Sequence, residues 1–151
     1  MKQRDSSFFF YLMAPAATLL PLSLRWWYIT TKTLFLPTAK NVVKNIKTFS
    51  AKGTYGEPIL YHLRYYHFKY CIPKVKVPPV IFTDEELQTL STPTFVLVGD
   101  QEVIYNPQKA IKRAMELIPN CAGEILPQCG HSIPTDQPEL LARKMKEFLL
   151  K

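Results

Sequence analysis

The sequence predicts an α/β chain, a short parallel sheet of about three strands interrupted by a helical insertion. Three observations carry that prediction. Two short apolar runs, Thr94 to Val98 and Glu124 to Leu126, flank a helical pattern. Polar and ionisable residues follow each run directly, as they do outside the carboxyl ends of parallel strands. Prolines and glycines divide residues 18–82 into helix-sized pieces with no strong strand alternation.

Residues 1–17 are expected to hold a buried parallel strand, Phe8 to Met13, and its exit loop Ala14-Pro15-Ala16-Ala17. The same residues admit a secretory signal, since Lys2 and Arg4 precede the apolar run and small residues follow it. Asp5 beside the basic residues and Pro15 and Pro21 weigh against that reading, and the run is too short to span a membrane.

Residues 18–82 read as helices. Trp26, Trp27, Tyr28, Leu34, Phe35 and Leu36 are bulky and expected to pack. From Lys40 to Phe49, Val42, Val43, Ile46 and Phe49 recur at helical spacing, with Lys40, Lys44 and Lys47 on the other side. Gly53 and Gly56 break the pattern, and Pro58 opens a helix through Ile59, Leu60, Leu63 and Tyr66. His62 and His67 on that helix have no placed partner. Cys71 to Pro79 is proline-rich and expected to be irregular. Thr83-Asp84-Glu85-Glu86 then matches a capping box before Leu87 and Leu90, which returns the chain to the sheet.

Residues 83–151 complete the core. Thr94-Phe95-Val96-Leu97-Val98, closed by Gly99, fits a strand buried on both faces, and Asp100 and Glu102 follow it. Asn106-Pro107 opens a helix whose Ala110, Ile111, Ala114, Met115, Leu117 and Ile118 share one stripe. Pro119-Asn120 ends it. Glu124 to Leu126 offers the next strand, and Pro127-Gln128-Cys129-Gly130-His131 presents an imidazole where that strand stops. Asp136-Gln137-Pro138-Glu139 supplies helix-start chemistry for a closing helix carrying Leu140, Leu141, Met145, Phe148 and Leu149, with Arg143, Lys144 and Lys146 outside.

A carboxylate bonded to Nδ1 of a histidine fixes its tautomer and leaves Nε2 to take a proton from a nucleophile. Pro93 to Glu102, then Gly130-His131, then a helix from Gln137-Pro138-Glu139, resembles the C-terminal part of an α/β-hydrolase. The resemblance implies Glu102 as catalytic acid and His131 as base, with Asp100, nearer the strand, a weaker candidate for the acid. It also implies that residues 18–82 form the lid inserted between two strands. The family's nucleophile sits in Gly-x-Ser-x-Gly on a strained strand-to-helix turn, and no such motif occurs. The serines are Ser6, Ser7, Ser23, Ser50, Ser91 and Ser132; only Gly130-His131-Ser132-Ile133-Pro134 comes near, with proline last and the serine beside the supposed base. The family's nucleophile precedes its acid and histidine, so the resemblance covers the second half, with the nucleophile and oxyanion loop expected before Met1. It implies a truncated esterase-like hydrolase, inactive alone, acting on a small ester-like substrate only when completed by the missing N-terminal half or a second copy.

Composition fits one domain, at 151 residues with 47% hydrophobic and 13% aromatic residues. Cys71, Cys121 and Cys129 make an odd count, which disfavours a disulfide framework and favours a reducing, cytoplasmic compartment. Cys121, Cys129 and His131 lack a fourth ligand and paired spacing for zinc, and no metal or cofactor is implied. The net charge of +7 conceals an asymmetry: residues 1–82 carry +10 and residues 83–151 carry −3. A basic surface of this kind draws anionic substrates, lipid headgroups or nucleic acid. No nucleic-acid motif accompanies the charge, so a solvated lysine-rich face is the plainer reading and no nucleic-acid partner or membrane span is expected. Alternatives to the hydrolase reading are a non-catalytic interaction protein that retains half of the fold, and a basic secreted or membrane-surface protein.

Overall fold

A computed structural model describes residues 9–54, 58–71 and 80–150. In chain order the elements are β1 (Phe10–Met13), α1 (Leu24–Phe35), α2 (Ala39–Phe49), α3 (Pro58–Tyr70), α4 (Asp84–Gln88), β2 (Thr94–Gly99), α5 (Pro107–Leu117), β3 (Cys121–Leu126), α6 (Ile133–Asp136) and α7 (Pro138–Leu149). The strands form one parallel sheet in the order β1-β2-β3.

The sheet is organised by β2, every residue of which is buried, as its β-branched and aromatic composition predicts. Val96 and Val98 face one core with Leu87, Ile104, Ala110, Ala114 and Ile118, under α4 and α5. Phe95 and Leu97 face a second core with Leu126, Cys129, Ile133 and Leu141, under α6 and α7. Helices thus cover both faces, the arrangement parallel strands require. On the second face the Phe95 and Phe148 rings stack at 4.8 Å, Tyr11 packs edge-on at 5.6 Å from Phe148, and the Tyr11 hydroxyl donates to the Met145 carbonyl at 3.1 Å.

Local chemistry places several helix ends where it is expected to. Asn106 accepts from the Lys109 N–H with Pro107 in the first turn of α5, and Thr83 and Glu86 close the capping box of α4. Ser23 and Thr38 cap α1 and α2 in the same way, accepting from Trp26 and Asn41.

The structure departs from four expectations. Phe8 lies outside the described residues, and β1 is a sheet edge rather than a buried strand: Phe10 is 47% and Met13 42% exposed, because β1 pairs only with β2 among the described residues. Strand β3 begins three residues before Glu124, with Cys121, Ala122 and Gly123 paired to Thr94, Phe95 and Val96. Gly123 hides this from the pattern, since glycine is depleted in strands; it admits the Ile111 and Met115 side chains of α5, which come to within 3.0 and 3.3 Å of where a Cβ would stand. Asp136 does not start α7 but ends the short helix α6, its carboxylate being engaged elsewhere. Of the bulky residues expected to pack in and just after α1, Trp26 does, but Trp27, Tyr28, Leu34, Phe35 and Leu36 are more than half exposed, and α3 has no buried residue. The irregular stretch expected from Cys71 to Pro79 and the break at Gly56 fall outside the described residues, apart from Cys71 itself.

Residues 18–82 leave the sheet and return to it at one point. The Phe82 N–H donates to the Thr18 carbonyl at 3.1 Å. The Arg113 guanidinium on α5 donates to the Leu19 carbonyl, to the Phe82 carbonyl at 2.8 Å and to Asp84 at 2.6 Å. No helix among the described residues is long and apolar enough to cross a membrane.

Candidate active site

Strands β2 and β3 run parallel in register, Gly99 opposite Leu126, so the loops leaving them emerge side by side. The two loops are joined immediately: the Asp100 N–H donates to the Leu126 carbonyl at 2.9 Å and the Gln101 N–H to the Cys129 carbonyl at 2.8 Å. This crossing needs Gly99, where a Cβ would stand 2.2 Å from the Cys129 carbonyl oxygen and 2.5 Å from that of Gly130.

The crossing brings Glu102 to His131. The Glu102 Oε2 lies 2.8 Å from His131 Nδ1, while Oε1 accepts from the backbone N–H groups of Val103 and Ile104, each at 2.8 Å. The carboxylate side chain is fully buried, and the imidazole retains 28% exposure. A buried charge is tolerated only with its lone pairs satisfied, and these three hydrogen bonds supply that. With Nδ1 facing a carboxylate, Nδ1 carries the proton, and Nε2 has no hydrogen-bond partner among the described residues. Tyr105 lies beside the pair; burial first, and the Glu102 charge second, push its phenol well above the ordinary range, so it stays neutral.

Asp100 is placed otherwise. Its carboxylate accepts from the Cys129 N–H at 3.1 Å, bracing the histidine loop and not the imidazole. Ser132 starts α6 with no side-chain cap hydrogen bond, its N–H directed at the Phe49 carbonyl. Cys129 is wholly buried and burial raises its thiol to about 11, as it does that of Cys121. Cys121 begins β3 and Cys129 follows its end, a strand length of about 17 Å away, so these thiols and His131 do not converge on a metal. No group of metal-ligating side chains occurs among the described residues. His62 is exposed with Nδ1 at 3.0 Å from its own helix's Pro58 carbonyl.

Asp136 is the residue that sequence reasoning missed. Its Oδ2 accepts from the Gly130 N–H at 2.7 Å and the Ala51 N–H at 2.9 Å, tying the histidine loop to the chain leaving α2. The His131 N–H donates to the Phe49 carbonyl at 2.8 Å, and a Cβ on Gly130 would meet that oxygen at 2.5 Å. On the other flank Ser23 donates to the Val103 carbonyl at 2.8 Å and its N–H to that of Ile104 at 2.6 Å. Residues 18–82 are therefore fastened to both loops of the pair.

Two of the clefts along α2 border the loops of the pair. One, of about 370 Å³, is lined by Asn45, Phe49, Leu63, His67 and Ser132 among others, so it borders the chain position next to the imidazole. Asn45 is 5% exposed and its amide nitrogen has no partner, leaving a buried donor on that helix. The second, of about 560 Å³, lies on the acid side and includes Gln101 and Glu102.

Comparisons with known proteins agree with this architecture. No family model matches the chain. It is 36% identical over 70 residues, 46% of its length and 23% of the relative's, to the uncharacterized carboxylesterase nap of Bacillus subtilis (strain 168). It is 35% identical over 71 residues, 47% of its length and 24% of the relative's, to carboxylesterase YbfK of the same organism. Among solved structures, the naproxen esterase (carboxylesterase NP) of Bacillus subtilis superposes with a TM-score of 0.80 at 26% identity over 99% of this chain and 53% of that one. A meta-cleavage product hydrolase (CumD), at 19% identity and a TM-score of 0.71 over 92% of this chain and 54% of that one, shares the fold. The chain spans about half the length of these solved structures and about a quarter of the curated sequences is aligned with it. Its relatives by sequence are carboxylesterases, and the chain carries an α/β-hydrolase fold in part, a three-stranded parallel sheet with its covering helices.

Proposed function

We propose that this chain supplies the acid and base of a carboxylesterase site, Glu102 orienting His131 and His131 Nε2 serving as the proton acceptor, with residues 18–82 as the lid. The observation that carries the reading is the 2.8 Å contact between a fully buried carboxylate and a partly exposed imidazole, at the ends of adjacent parallel strands. The carboxylate holds the Nδ1–H tautomer and stabilises the imidazolium that forms when Nε2 takes a hydroxyl proton. The cleft lined by Ser132 and Phe49 receives the ester, and Asn45 offers it a hydrogen-bond donor.

The nucleophile comes from outside these 151 residues, which contain no Gly-x-Ser-x-Gly. Without that hydroxyl and its oxyanion donors the chain alone leaves the acyl-transfer barrier nearly untouched. A partner, a complementary half or a second copy, covers the free edge of β1 and the exposed Phe10 and Met13. The three free thiols fit a cytoplasmic setting.

Assay of the purified chain on p-nitrophenyl butyrate tests the reading. Background turnover is expected alone. Co-expression with the nucleophile-bearing half of the naproxen esterase is expected to yield hydrolysis that His131→Ala abolishes. Turnover by the isolated chain that His131→Ala removes would refute the inactive reading, and turnover in the complemented pair that survives His131→Ala would refute the assignment of the base.

A further inference from the structure

We propose that the second cleft is a binding site for a small, multiply charged anion bearing phosphate or clustered carboxylate groups, independent of whether the chain takes part in ester hydrolysis. Arg25 from α1, Lys40, Lys44 and Lys47 from α2 and Lys52 from the turn beyond it all line this one cleft of about 560 Å³. From Ser6 to Gly56 the sequence has no acidic residue. A lysine-rich helix face ordinarily spreads its charges into solvent, whereas here three segments bring five basic residues to the lining of one cleft.

Among the described residues the one acid that lines the cleft is Glu102, which is fully buried and already accepts from two backbone N–H groups and the imidazole. Arg25, Lys40, Lys44 and Lys52 form no ion pair with any carboxylate among the described residues. A cleft of this volume is about 8 Å across, no more than a Debye length at physiological salt, so Arg25, Lys40, Lys44 and Lys52 repel one another there and an anion seated among them relieves that repulsion. Neutral donors complete the lining. Ser50 presents a hydroxyl, and Gln101, its Oε1 taken by the Lys52 N–H at 2.8 Å, is left with its amide N–H groups.

Shape selects the class of ligand. The volume falls within the range of small-molecule sites and the walls are formed by helices α1 and α2 and the acid loop, with Val43 as an apolar floor. A lipid bilayer or a nucleic-acid duplex needs a continuous basic surface, not a concave one.

Calorimetric titration of the full chain with sodium pyrophosphate and, separately, with sodium citrate at low ionic strength tests this. Saturable one-to-one binding of at least one of them is expected, with amide shifts in two-dimensional NMR confined to Arg25, Lys44, Ser50, Gln101 and their neighbours. Response to pyrophosphate alone identifies phosphate as the group taken, and response to citrate alone identifies carboxylates. Lys40→Glu/Lys44→Glu is expected to weaken binding by about tenfold or more, while Lys112→Glu/Lys146→Glu, on the exposed sides of α5 and α7, leaves it within about twofold. Absence of binding to both anions, equal weakening by both double variants, or binding only to phosphatidylserine vesicles would overturn the proposal.

Discussion

Replacing Asp136 by alanine should loosen the site without touching the pair itself. Its Oδ2 is the sole acceptor that the structure gives the Gly130 and Ala51 N–H groups, and all three residues are buried. A hydrogen bond to a charged acceptor contributes about 1.5–3 kcal/mol, so two forfeit about 3–6 kcal/mol. Part returns, because Oδ1 of the same carboxylate is buried without a partner and its desolvation disappears with it. The net expectation for Asp136→Ala is about 3 kcal/mol, a fall in Tm of about 6–12 °C for a chain of this size. Asp136→Asn keeps an oxygen in place for both N–H groups and should cost about 1 kcal/mol. Urea unfolding followed by circular dichroism, with the slope unchanged between variants, measures the difference. The lost link also frees the strand of chain at Phe49 that holds the His131 N–H, so the downfield proton signal of His131 Nδ1–H should broaden or vanish in the alanine variant alone. Equal midpoints for the alanine and asparagine variants, or an alanine variant within about 0.5 kcal/mol of the parent, would refute the claim that this carboxylate fastens the histidine loop.

Other substitutions read out neighbouring parts of the structure. Glu102→Gln can still accept from Val103 and Ile104 but turns an N–H or an uncharged oxygen toward Nδ1, so the downfield imidazole proton should be lost; in an enzyme completed by a nucleophile half, kcat should drop by about 10³–10⁴. Gly99→Ala should cost more than about 3 kcal/mol or prevent folding, since its Cβ would stand 2.2 Å from a backbone oxygen, whereas Gly53→Ala, with φ of +85° and open space around it, should cost only about 1 kcal/mol. Iodoacetamide at pH 8 should modify Cys71 rapidly and spare Cys121 and Cys129, whose thiols are pushed up to about 11 by burial. In the unfolded state those thiols ionise first, so their contribution to stability should be constant below about pH 9 and fall between about pH 9 and 11; a rise over that window would contradict the burial of both.

What could be read from sequence alone was what is determined within one element. A run of buried β-branched residues has few alternatives to β2, and the side-chain caps of α4 and α5 act over three residues, so these elements stand where they were expected. Features that depend on distant chain did not show. Gly123 joins β3 because α5 presses against it, which no local preference records. The exposure of β1 depends on what lies beyond its free edge. Asp136, read as a helix-starting residue from its neighbours Gln137 and Pro138, is instead an acceptor for an N–H 85 positions away in sequence. Glu102 and Asp100 are two residues apart and chemically alike; their loop's crossing with the histidine loop sends one to Nδ1 and the other to the Cys129 N–H.

The pair owes its geometry to this chain alone, and that bears on how a completed site would work. Glu102 is fixed by the N–H groups of its own loop, that loop by Ser23, and the histidine loop by Phe49, Asp136 and the glycine contacts. None of these supports involves a nucleophile. On the proposed reading, a hydroxyl arriving on a second segment would meet an imidazole already in the tautomer and orientation needed to deprotonate it, and would contribute to catalysis without first having to assemble its base. The fastening also passes through residues 18–82 on both flanks, so displacing that segment would disturb Glu102 and His131 together. On the proposed reading, in which residues 18–82 act as a lid, movement of those helices and the alignment of Glu102 with His131 would be one mechanical event: an opening far enough to free Phe49 from the His131 N–H would also give up the orientation of the imidazole.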